Sequence, residues 1–331
     1  MPASESSTHA EDANLATIVA RLDDVLDRVE SPSPTYRGKV RDVYAATRGG
    51  RDELLIVTTD RVSAFDVVLG TIPLKGALLT EQATFWLERA RDVVATHLVE
   101  RVDAQIVRVR RAEALPVELV VRGYLAGSLA REPVETRGHA YGIAIDPSVA
   151  VHAPFESPII TPTTKAPSGE HDLPLSVDGI VRQGLVARAV MDQACEAAKE
   201  LYRRGAQFAR ARGLLLVDTK YEFGLVDGAL TLIDEIHTAD SSRYWRADTY
   251  DARMREGNAP DMLDKERLRR WLLARGFSGH GAPPALDQGV RTDLCAHYWS
   301  LTEQVTGKPF VPPAAGVRAR VAEALAGALG R

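Results

Sequence analysis

The sequence predicts an α+β fold on the evidence of three observations. Segments of strand character occur as hairpins, with Gly49-Gly50 and Asp227-Gly228 at their turns. The segments of helical periodicity stand apart from these hairpins and do not alternate with single strands, which argues against a parallel βαβ fold. A chain of 331 residues also exceeds the usual size of one domain, so we expect two subdomains or one large one.

The N-terminal region is predicted to have two parts. Residues 1–14 are polar and acidic and are expected to be disordered, with Asn14 as a suitable N-cap for a helix. That helix is predicted from apolar residues at helical spacing, which are Leu15, Ile18, Val19, Leu22, Leu26 and Val29. The prolines at positions 32 and 34 end it.

Strands are predicted from Tyr36 onward. The segment YRGKVRDVYAA leads through Gly49-Gly50 into ELLIVTTD, as a hairpin with a longer loop. Residues 81–100 have the pattern of an amphipathic helix. Residues 104–129 are typical of two strands, and Pro116 is expected to break them apart.

The second half begins with residues 158–176, which are rich in Pro, Thr and Ser. This segment is expected to be irregular, and long irregular loops in compact domains are often functional. A long helix is predicted over residues 184–212, with Gly213 as its stop. An acidic hairpin over residues 214–245, two helices within residues 263–277 and 291–307, and an Ala-rich tail after Pro313 complete the chain.

Composition excludes several classes of protein. A formal net charge of −4 is not the excess of positive charge that proteins binding duplex nucleic acid typically carry. Cys195 and Cys295 lie far apart in sequence, so neither a zinc site nor a disulfide framework is indicated. No apolar segment approaches the ~18 residues of a membrane span. The polar N-terminus resembles neither a signal peptide nor a transit peptide, so a cytoplasmic protein is expected.

Six carboxylates lie in residues 214–245, although the segment otherwise has the composition of a hairpin. If Asp227-Gly228 is a two-residue turn, Glu222 pairs with Ile233 and Asp234 falls on the opposite face. If the turn has three residues and a bulge, Glu222 pairs with Asp234, and a divalent cation such as Mg²⁺ would relieve their repulsion. The alternative to a cation site is a solvated hairpin edge whose acids bind nothing.

Basic and hydroxyl side chains form several candidate anion sites. Lys39 and Arg41 share one face of a predicted strand beside Gly38, where the alternative is a charged edge strand. Arg122 and Ser128 flank a strand-to-helix turn, where the alternative is a simple helix cap. Three further sets of polar residues suit the binding of small anions. The first is Asp60, Arg61, Ser63 and Asp66, the second is Lys165, Glu170, His171 and Asp172, and the third is Ser241, Ser242 and Arg243.

The common nucleotide and hydrolase motifs do not occur in this sequence. It contains no Walker phosphate loop, dinucleotide fingerprint, zinc-protease motif or serine-hydrolase elbow. The anion sites, the acidic hairpin and the polar loop together are what an enzyme needs to handle ATP and a second phosphorylated substrate.

The chain closely resembles the phosphoribosylaminoimidazole-succinocarboxamide synthase family, also called SAICAR synthetase, in an ordered series of segments. These segments are RGKVRDVY, TTDRVSAFDVVLG, IPLKGALLT, PVELVVRGYLAGS, ITPTTKAPSGEHD, VDTKYEFGL and IDEIHTADSSRYW. The later segments DKERLRRWL and VRTDLCAHYWSLTEQVTGKPF resemble the longer variety of the family. The resemblance covers residues 35 to 310.

This resemblance implies an ATP-dependent ligase of purine biosynthesis, which joins L-aspartate to the carboxyaminoimidazole ribotide CAIR and yields SAICAR, ADP and phosphate. It implies that the γ-phosphoryl group passes to the ribotide carboxylate, that the aspartate amine attacks the acyl phosphate, and that Mg²⁺ neutralises phosphate charge. It also implies an antiparallel-sheet lobe over residues 35–112 and a larger catalytic lobe over residues 113–312, with ATP between them. Residues 1–34 would be an extension and residues 313–331 a tail.

The resemblance assigns roles to individual residues by position. The implied contacts are, for ATP, Gly38, Lys39, Arg41, Arg110, Ala112, Lys220, Glu222 and Asp234; for CAIR, Ser63, Asp66, Arg122, Ser128 and Arg243; and for aspartate, Lys165, His171 and Asp172. Lys220, Glu222 and Asp234 would be catalytic, and the two acids would hold Mg²⁺. The segment 110–112 would be a hinge that contacts adenine through its backbone. On this interpretation the hairpin must have the register of the three-residue turn.

The partners expected on this interpretation are small molecules, with neither nucleic acid nor membrane among them, and a monomer is favoured. Two alternatives stay open from the residues alone. A small-molecule kinase needs the same ATP and Mg²⁺ equipment, and amide formation in the presence of aspartate would distinguish it. A non-catalytic nucleotide-sensing module would bind ATP without turnover.

Overall fold

The computed structural model describes residues 4–30, 32–165, 172–263 and 266–330. Antiparallel sheets and separate helices make up its secondary structure, which confirms the predicted α+β class. Two compact units divide the chain. Unit 1 comprises Met1–Thr84, Leu98–Arg110 and Lys265–Arg331, and unit 2 comprises Phe85–His97 and Arg111–Asp264.

The strands are, in chain order, β1 (Tyr36–Arg37), β2 (Arg41–Arg48), β3 (Arg51–Thr58), β4 (Arg61–Ala64), β5 (Val67–Thr71), β6 (Ala95–Thr96), β7 (Leu98–Asp103), β8 (Ile106–Arg110), β9 (Glu113–Tyr124), β10 (Pro154–Thr164), β11 (Leu214–Val226), β12 (Ala229–Ile233) and β13 (Ser242–Arg246). The α-helices are α1 (Ser4–Ala20), α2 (Lys75–Arg89), α3 (Gly127–Ala130), α4 (Val177–Arg182), α5 (Arg188–Arg210), α6 (Ala247–Arg255), α7 (Glu266–Leu273), α8 (Gln288–Thr306) and α9 (Val317–Ala328). None of the helices in the described residues is long and apolar enough to cross a membrane.

Unit 1 is built on a five-stranded antiparallel sheet with the order β1-β2-β3-β8-β7. A separate two-stranded sheet, β4 with β5, belongs to the same unit. The core of unit 1 gathers residues from the N-terminal segment, the sheet and α9, which are Leu26, Val29, Tyr44, Leu55, Val57, Ile106, Val317, Val321 and Leu325. Both ends of the chain therefore contribute to this core.

Unit 2 is built on a sheet with the order β10-β9-β11-β12-β6, and β13 also pairs with β11. The pairs are antiparallel except β12 with β6. Helix α5 packs against β11, and the hydroxyl of Tyr202 donates to the carbonyl of Leu216 at 2.7 Å. The long strands β9 and β11 pair with each other, so they are the scaffold on which polar side chains of unit 2 are positioned.

The N-terminal region differs from the expectation. Helix α1 begins at Ser4, so Asn14 lies inside the helix and not at its N-cap, and the helix ends at Ala20. Leu26 and Val29 lie beyond the helix and are buried in the core of unit 1. Ile18 and Leu22 are buried as well, but Leu15 and Val19 are exposed, so the apolar spacing indicated burial at four of its six positions. The burial of Leu26 and Val29 comes from contact with the sheet and with α9.

Two strand boundaries also differ. Gly49 and Gly50 form a two-residue turn between paired Arg48 and Arg51, so the longer loop is wrong. Strand β9 runs through Pro116, and the break falls instead between β8 and β9. Proline is tolerated there because the pairing of β9 with β10 ends at Val117, and no ladder N–H is required at the next position.

The remaining differences concern residues 75–103 and 158–164. Helix α2 begins at Lys75 and ends at Arg89, and the strands β6 and β7 occupy the second half of the expected helix. Residues 158–164 belong to β10 and are not irregular, while residues 166–171 lie outside the described part of the chain. Helix α5 lies within the predicted range 184–212 but begins only at Arg188. Met191, Ala194, Ala198, Leu201 and Gly205 are buried, and Gly213 adopts a positive φ of 73° after its end, as predicted.

Candidate active site

The hairpin of β11 and β12 has the register of a two-residue turn. Asp227 and Gly228 have φ values of 53° and 79°, and Glu222 pairs with Ile233. The register expected for a cation site, with Glu222 opposite Asp234, is therefore wrong. The Asp-Gly pair accounts for this, because both residue types accept the left-handed conformation that a type I′ turn requires.

Asp234 nevertheless approaches the same lysine as Glu222. It follows the last residue of β12 and has a φ of 63°, so the chain leaves strand geometry there. This interrupts the alternation of side chains, and Oδ2 of Asp234 lies 3.8 Å from Nζ of Lys220. Lys220 also contacts Glu222, two residues along the same face of β11. The two acids thus meet at one ammonium group and not across the ladder.

Glu118, Lys165, Lys220, Glu222 and Asp234 form what we call the carboxylate–lysine cluster. Strands β9 and β11 pair Glu118 with Glu222, and Nζ of Lys220 donates to Oε1 of Glu118 at 3.1 Å. Nζ of Lys165, just beyond β10, donates to the second oxygen of Glu222. Three carboxylates therefore share two ammonium groups, and Glu222 is buried among them.

The charges of this cluster perturb one another. Burial lowers the pKa of Lys220, but the carboxylates of Glu222, Asp234 and Glu118 outweigh it and raise the pKa above its usual range. Burial raises the pKa of Glu118, with the neighbouring Glu222 charge in the same direction and Lys220 opposing it. Lys220 therefore stays an ammonium, and the acids hold more negative charge than one lysine neutralises.

Arg122, Ser128, Asp218 and Arg243 form what we call the arginine–aspartate cluster. Oδ2 of the buried Asp218 accepts from Nη1 of Arg122 at 2.9 Å and from Nη1 of Arg243 at 2.5 Å. Nη2 of Arg122 donates to Oγ of Ser128 at 3.3 Å. Two guanidinium groups bridged by one carboxylate keep a net positive charge beside a hydroxyl, and this combination suits a phosphate group.

Local backbone conformation brings Arg243 into this cluster. Gly127 has a φ of 62°, and a Cβ added there would lie 2.4 Å from Nη1 of Arg243. Helix α3 begins at Gly127, so Ser128 lies in its first turn and Ala126 occupies the N-cap position. The interpretation of Ser128 as a simple helix cap is therefore wrong, and its hydroxyl contacts Arg122.

Both clusters lie on one face of two paired strands. On β11, Asp218, Lys220 and Glu222 alternate in sequence, and β9 places Arg122 opposite Asp218 and Glu118 opposite Glu222. The two clusters are four residues apart, or roughly 13 Å along the strands. A phosphate held at one end of this face and a phosphoryl group at the other would belong to one elongated site.

Within unit 1, Gly38 and Lys39 lie in the turn between β1 and β2, and Arg41 begins β2. The N–H of Gly38 donates to the carbonyl of Arg41 at 2.7 Å, which closes the turn. Lys39 therefore does not share a strand face with Arg41, and its ammonium contacts Asp66. Nε and Nη2 of Arg61 donate to the carbonyls of Lys39 and Gly38, each at 3.0 Å, and hold the turn in place.

Ser63 and Asp66 belong to the hairpin of β4 and β5. Ser63 is buried on β4, and Asp66 forms the two-residue turn with Phe65. Both turn residues have positive φ, 51° for Phe65 and 63° for Asp66. Non-glycine residues in this conformation cost of order 1–3 kcal/mol and cluster at functional sites. The turn presents Asp66 to Lys39.

The expected adenine hinge lies where the chain passes from one unit to the other. Arg110 is the exposed last residue of β8 in unit 1, and the second segment of unit 2 begins at Arg111. In unit 2, Ala112 lies against β11, and a Cβ added at Gly224 would be 3.0 Å from the Cβ of Ala112. The role of Arg110 and Ala112 in adenine binding stays a prediction.

The residues expected to bind aspartate are only partly described. Lys165 belongs to the carboxylate–lysine cluster through its contact with Glu222. Asp172 is exposed, and its charge raises the pKa of Glu118. His171 lies outside the described residues. The expected pocket is thus represented by one lysine and one carboxylate near the same cluster.

Sequence reasoning missed two members of these clusters. Glu118 received no role because PVELVV has the pattern of an ordinary strand with a solvated acid. Asp218 received no role of its own, because it was treated only as one of the acids of the hairpin. A charged residue in the middle of an apolar strand was the available signal, since charged groups are almost never buried without a partner.

Comparison with known proteins places the chain among relatives of one kind. The model of the SAICAR synthetase family matches residues 34–282. The "Putative phosphoribosylaminoimidazole-succinocarboxamide synthase 2" of Mesorhizobium japonicum is 41% identical over 286 residues, which cover 85% of this chain and 90% of the relative. The phosphoribosylaminoimidazole-succinocarboxamide synthase of Flavobacterium psychrophilum is 42% identical over 281 residues, with coverages of 83% and 88%.

Comparison with solved structures also finds SAICAR synthases. A SAICAR synthase from Saccharomyces cerevisiae, complexed with SAICAR, has a TM-score of 0.75 at 30% identity and covers 86% of this chain and 99% of that one. A SAICAR synthetase in complex with ADP has a TM-score of 0.63 at 21% identity, with coverages of 83% and 99%. The second likeness is one of fold.

Proposed function

The chain belongs to the SAICAR synthetase family, the ligases of purine biosynthesis, and on this premise we propose how its residues divide the work. The reaction joins L-aspartate to CAIR at the expense of ATP and yields SAICAR, ADP and phosphate. Two clusters on one face of β9 and β11 carry the chemistry, the carboxylate–lysine cluster at the phosphoryl group and the arginine–aspartate cluster at the ribotide phosphate.

The chemistry requires an activated carboxylate, because a carboxylate oxygen is a poor leaving group. The γ-phosphoryl group of ATP passes to the carboxylate of CAIR, which gives ADP and an acyl phosphate. The aspartate amine then attacks the acyl carbon, a C–N bond forms, and phosphate leaves. Little covalent chemistry falls to the protein, so its contribution is positioning and charge stabilisation.

Glu222 and Asp234 are the residues proposed to hold Mg²⁺. Carboxylate oxygens are the ligands that Mg²⁺ prefers, and in nucleotide sites it takes one or two of them beside phosphate oxygens. Among the described residues no three His, Cys, Asp or Glu side chains are placed so that they could hold a metal ion together, so phosphates would complete the shell. Bound there, the cation would neutralise phosphate charge. Lys220 holds both acids near one point and adds its own positive charge.

The arginine–aspartate cluster is proposed to bind the phosphate of CAIR. Asp218 fixes both guanidinium groups, so their remaining N–H donors are oriented before the ligand arrives. Ser128 adds a hydroxyl to the same group. Preorganised charged donors of this kind are worth more than flexible ones, because the ligand does not have to order them.

Further contacts are proposed within each unit separately. In unit 2, the contact of Lys165 with Glu222 supports a place for the aspartate substrate beside the carboxylate–lysine cluster, with His171 and Asp172 as its other partners. In unit 1, Gly38, Lys39 and Arg41 are proposed to contact the ATP phosphates, and Ser63 and Asp66 the imidazole of CAIR. Arg110 and Ala112 are proposed to contact adenine.

The observation that carries this proposal is the shared face of β9 and β11, with an acidic end for a cation and a basic end for a phosphate. The test is mass spectrometry of the products formed from ATP, Mg²⁺, aspartate and CAIR. We expect SAICAR with one ADP per amide. ADP without amide would indicate a kinase or an uncoupled acyl phosphate, and protein that is folded but forms no ADP would contradict the ligase.

Glu222→Gln and Asp234→Asn test the cation site. Each removes one carboxylate, and Asn keeps the tolerance for positive φ that residue 234 requires. We expect the turnover rate kcat to fall roughly 10²- to 10³-fold, as when one stabilising group of a transition state is removed. The Mg²⁺ concentration at half-maximal rate should rise in both variants.

Asp227→Asn is the matched control, because it removes the same charge from the turn of the same hairpin. Its rate and its Mg²⁺ dependence should stay within about twofold of the parent enzyme. Equal losses in all three variants would contradict a specific cation site and would point instead to the overall charge of the hairpin.

A further inference from the structure

Unit 1 contains a cavity of about 510 Å³ whose lining is rich in arginine. Four guanidinium groups line it, those of Arg28, Arg37, Arg61 and Arg318, and Asp27 is the one acid among the described lining residues. The volume falls within the roughly 300–1,000 Å³ of small-molecule sites. The cavity is therefore large enough for a small ligand and carries an excess of positive charge.

Three of these guanidinium groups, those of Arg28, Arg37 and Arg318, are half-exposed, and Nε of Arg318 also donates to the carbonyl of Val25 at 3.0 Å. Arg37 lies 3.5 Å from the buried Asp42, and Arg318 lies 3.4 Å from Asp27. Arg28 pairs with Glu30 at 3.0 Å, but both side chains are exposed. Ion pairs of this kind contribute little, so these arginines can rearrange toward a ligand at small cost.

Arg61 differs because it is buried and fixed. Its Nη2 donates to Oδ1 of Asp42 at 2.7 Å and to the carbonyl of Gly38 at 3.0 Å, and its Nε donates to the carbonyl of Lys39. It lines the cavity and also holds the turn that carries Lys39. A ligand at the cavity would therefore act on this turn through Arg61.

The chemistry of the lining indicates a phosphorylated ligand. Guanidinium groups bind phosphate through paired N–H donors, and arginine is preferred over lysine where such paired recognition is needed. Several arginines around one cavity suit a group with two or more negative charges better than a single carboxylate.

Among the described lining residues of this cavity, Gly38 alone is also proposed to contact ATP, CAIR or aspartate. Arg28 and Arg318 lie outside residues 34–282, which match the family model. Lys39, Ser63 and Asp66 are not among the lining residues. We propose that the cavity is a second anion site that binds a small phosphorylated metabolite and changes the affinity for ATP through the Gly38–Arg41 turn; the second part rests on the proposed role of that turn.

Calorimetric titration of the full chain with inorganic pyrophosphate, and separately with AMP, tests this site. Saturating AMP-PNP and Mg²⁺ are present throughout to occupy the ATP site. We expect one equivalent of at least one probe to bind, and its affinity to fall about tenfold in the double variant Arg28→Gln/Arg318→Gln. Binding of AMP without pyrophosphate would identify a nucleotide ligand, and binding of both would identify the phosphate groups as sufficient.

Two controls locate the binding. Arg188→Gln removes an exposed, ion-paired arginine of unit 2 and should leave the affinity unchanged. Arg243→Gln removes a guanidinium of the arginine–aspartate cluster, and loss of binding in that variant alone would assign the probe to the proposed CAIR phosphate site and overturn the proposal. Arg28→Gln alone, whose contact with Glu30 is exposed, should weaken binding about threefold and serves if the double variant does not fold.

Steady-state kinetics separate this inference from the proposed function. The double variant should keep the basal ligase rate, and the bound probe should shift the KM for ATP in the parent enzyme but not in the double variant. No binding of either probe, or equal binding in the parent and the double variant, would overturn the second site while the ligase assignment stands.

Discussion

Asp218 illustrates how one buried carboxylate organises a binding site at the scale of single residues. It accepts hydrogen bonds from Arg122 and Arg243, which come from different strands, and thereby fixes the separation of their guanidinium groups. Burial lowers the pKa of Arg122, and the charge of Asp218 opposes that change. A pair of like charges so close together is stable because the acid lies between them.

Arg243→Gln should therefore weaken the binding of CAIR more than that of ATP. The variant loses one charged donor to the proposed phosphate position, and hydrogen bonds to charged groups contribute about 1.5–3 kcal/mol. We expect the KM for CAIR to rise roughly 10- to 100-fold, with the KM for ATP unchanged, in steady-state assays.

Arg246→Gln is the control for this prediction. Arg246 ends the same strand, β13, but is exposed and pairs with Asp248 at 2.9 Å. Its loss should leave both KM values within about twofold of the parent. A rise in the KM for ATP equal to that for CAIR would show that Arg243 supports the fold and not the ribotide.

At the scale of elements, the hairpin of β11 and β12 positions the acids by an unexpected route. The two-residue turn sets a register that separates Glu222 from Asp234, and the left-handed conformation at Asp234 brings its side chain back to Lys220. A register shifted by one residue would have moved every side chain of β12 to the opposite face. The hairpin thus keeps its buried face and still brings Glu222 and Asp234 to Lys220.

Gly224→Ala tests another close approach along β11. The added Cβ would lie 2.8 Å from the carbonyl oxygen of Glu113 and 3.0 Å from the Cβ of Ala112. These backbone-linked atoms must shift, so we expect a loss of about 1–3 kcal/mol in the free energy of unfolding. Because the shift displaces the proposed adenine hinge, the KM for ATP should also rise.

Gly327→Ala provides the matched glycine control. Gly327 lies in α9, and nothing lies within 4 Å of a Cβ built there. This substitution should stabilise the protein by up to about 1 kcal/mol, since alanine favours a helix more than glycine does. Chemical denaturation of both variants measures the difference. An unchanged stability of Gly224→Ala would show that residues 112–113 move aside at no cost in the free energy of unfolding.

At the scale of the whole molecule, two buried groups make stability depend on pH in opposite directions. Burial lowers the pKa of His237 to about 3, so its contribution is complete above pH 6.5 and is lost as the pH falls toward 3. Burial raises the pKa of Asp60 to about 6, so its contribution is complete below pH 3.8 and is lost as the pH rises through 6. His237 belongs to unit 2 and Asp60 to unit 1.

His237→Gln should reduce the loss of stability in acid. When the pH falls from 7.5 to 5, the histidine takes up a proton in the unfolded chain but stays neutral in the folded one. The free energy of unfolding therefore falls by roughly 2 kcal/mol. Gln retains a hydrogen-bonding partner for the hydroxyl of Tyr221, which lies 2.6 Å from Nε2 of His237. Urea denaturation at both pH values, followed by tryptophan fluorescence, measures the change, and Trp86 beside residue 237 contributes to that signal.

His280→Gln is the control for this measurement, because His280 is exposed. The pH dependence of that variant should follow the parent chain. If His237→Gln retained the full loss of stability in acid, the buried histidine would not be its source.

The sequence alone determined the features that depend on neighbouring residues. The Asp-Gly turn, the helix that Gly213 ends and the α+β class follow from turn chemistry and periodicity, which act within a few residues. The ordered motifs also identified the family, because the chemistry of a site requires particular residue types. Turn chemistry and periodicity were sufficient for the turn, the helix end and the fold class, whereas the family rested on the resemblance of the ordered motifs.

Tertiary structure decided which of these residues meet. Pairing of β9 with β11 put Glu118 beside Glu222 and Arg122 beside Asp218, although about 100 positions separate the members of each pair in the chain. Leu26 and Val29 lie outside any helix and are buried against the sheet and α9 of unit 1, and one positive φ redirected Asp234. Periodicity reports that a side chain is buried or exposed, whereas its partner is set by strand pairing and by single backbone angles that no local pattern encodes.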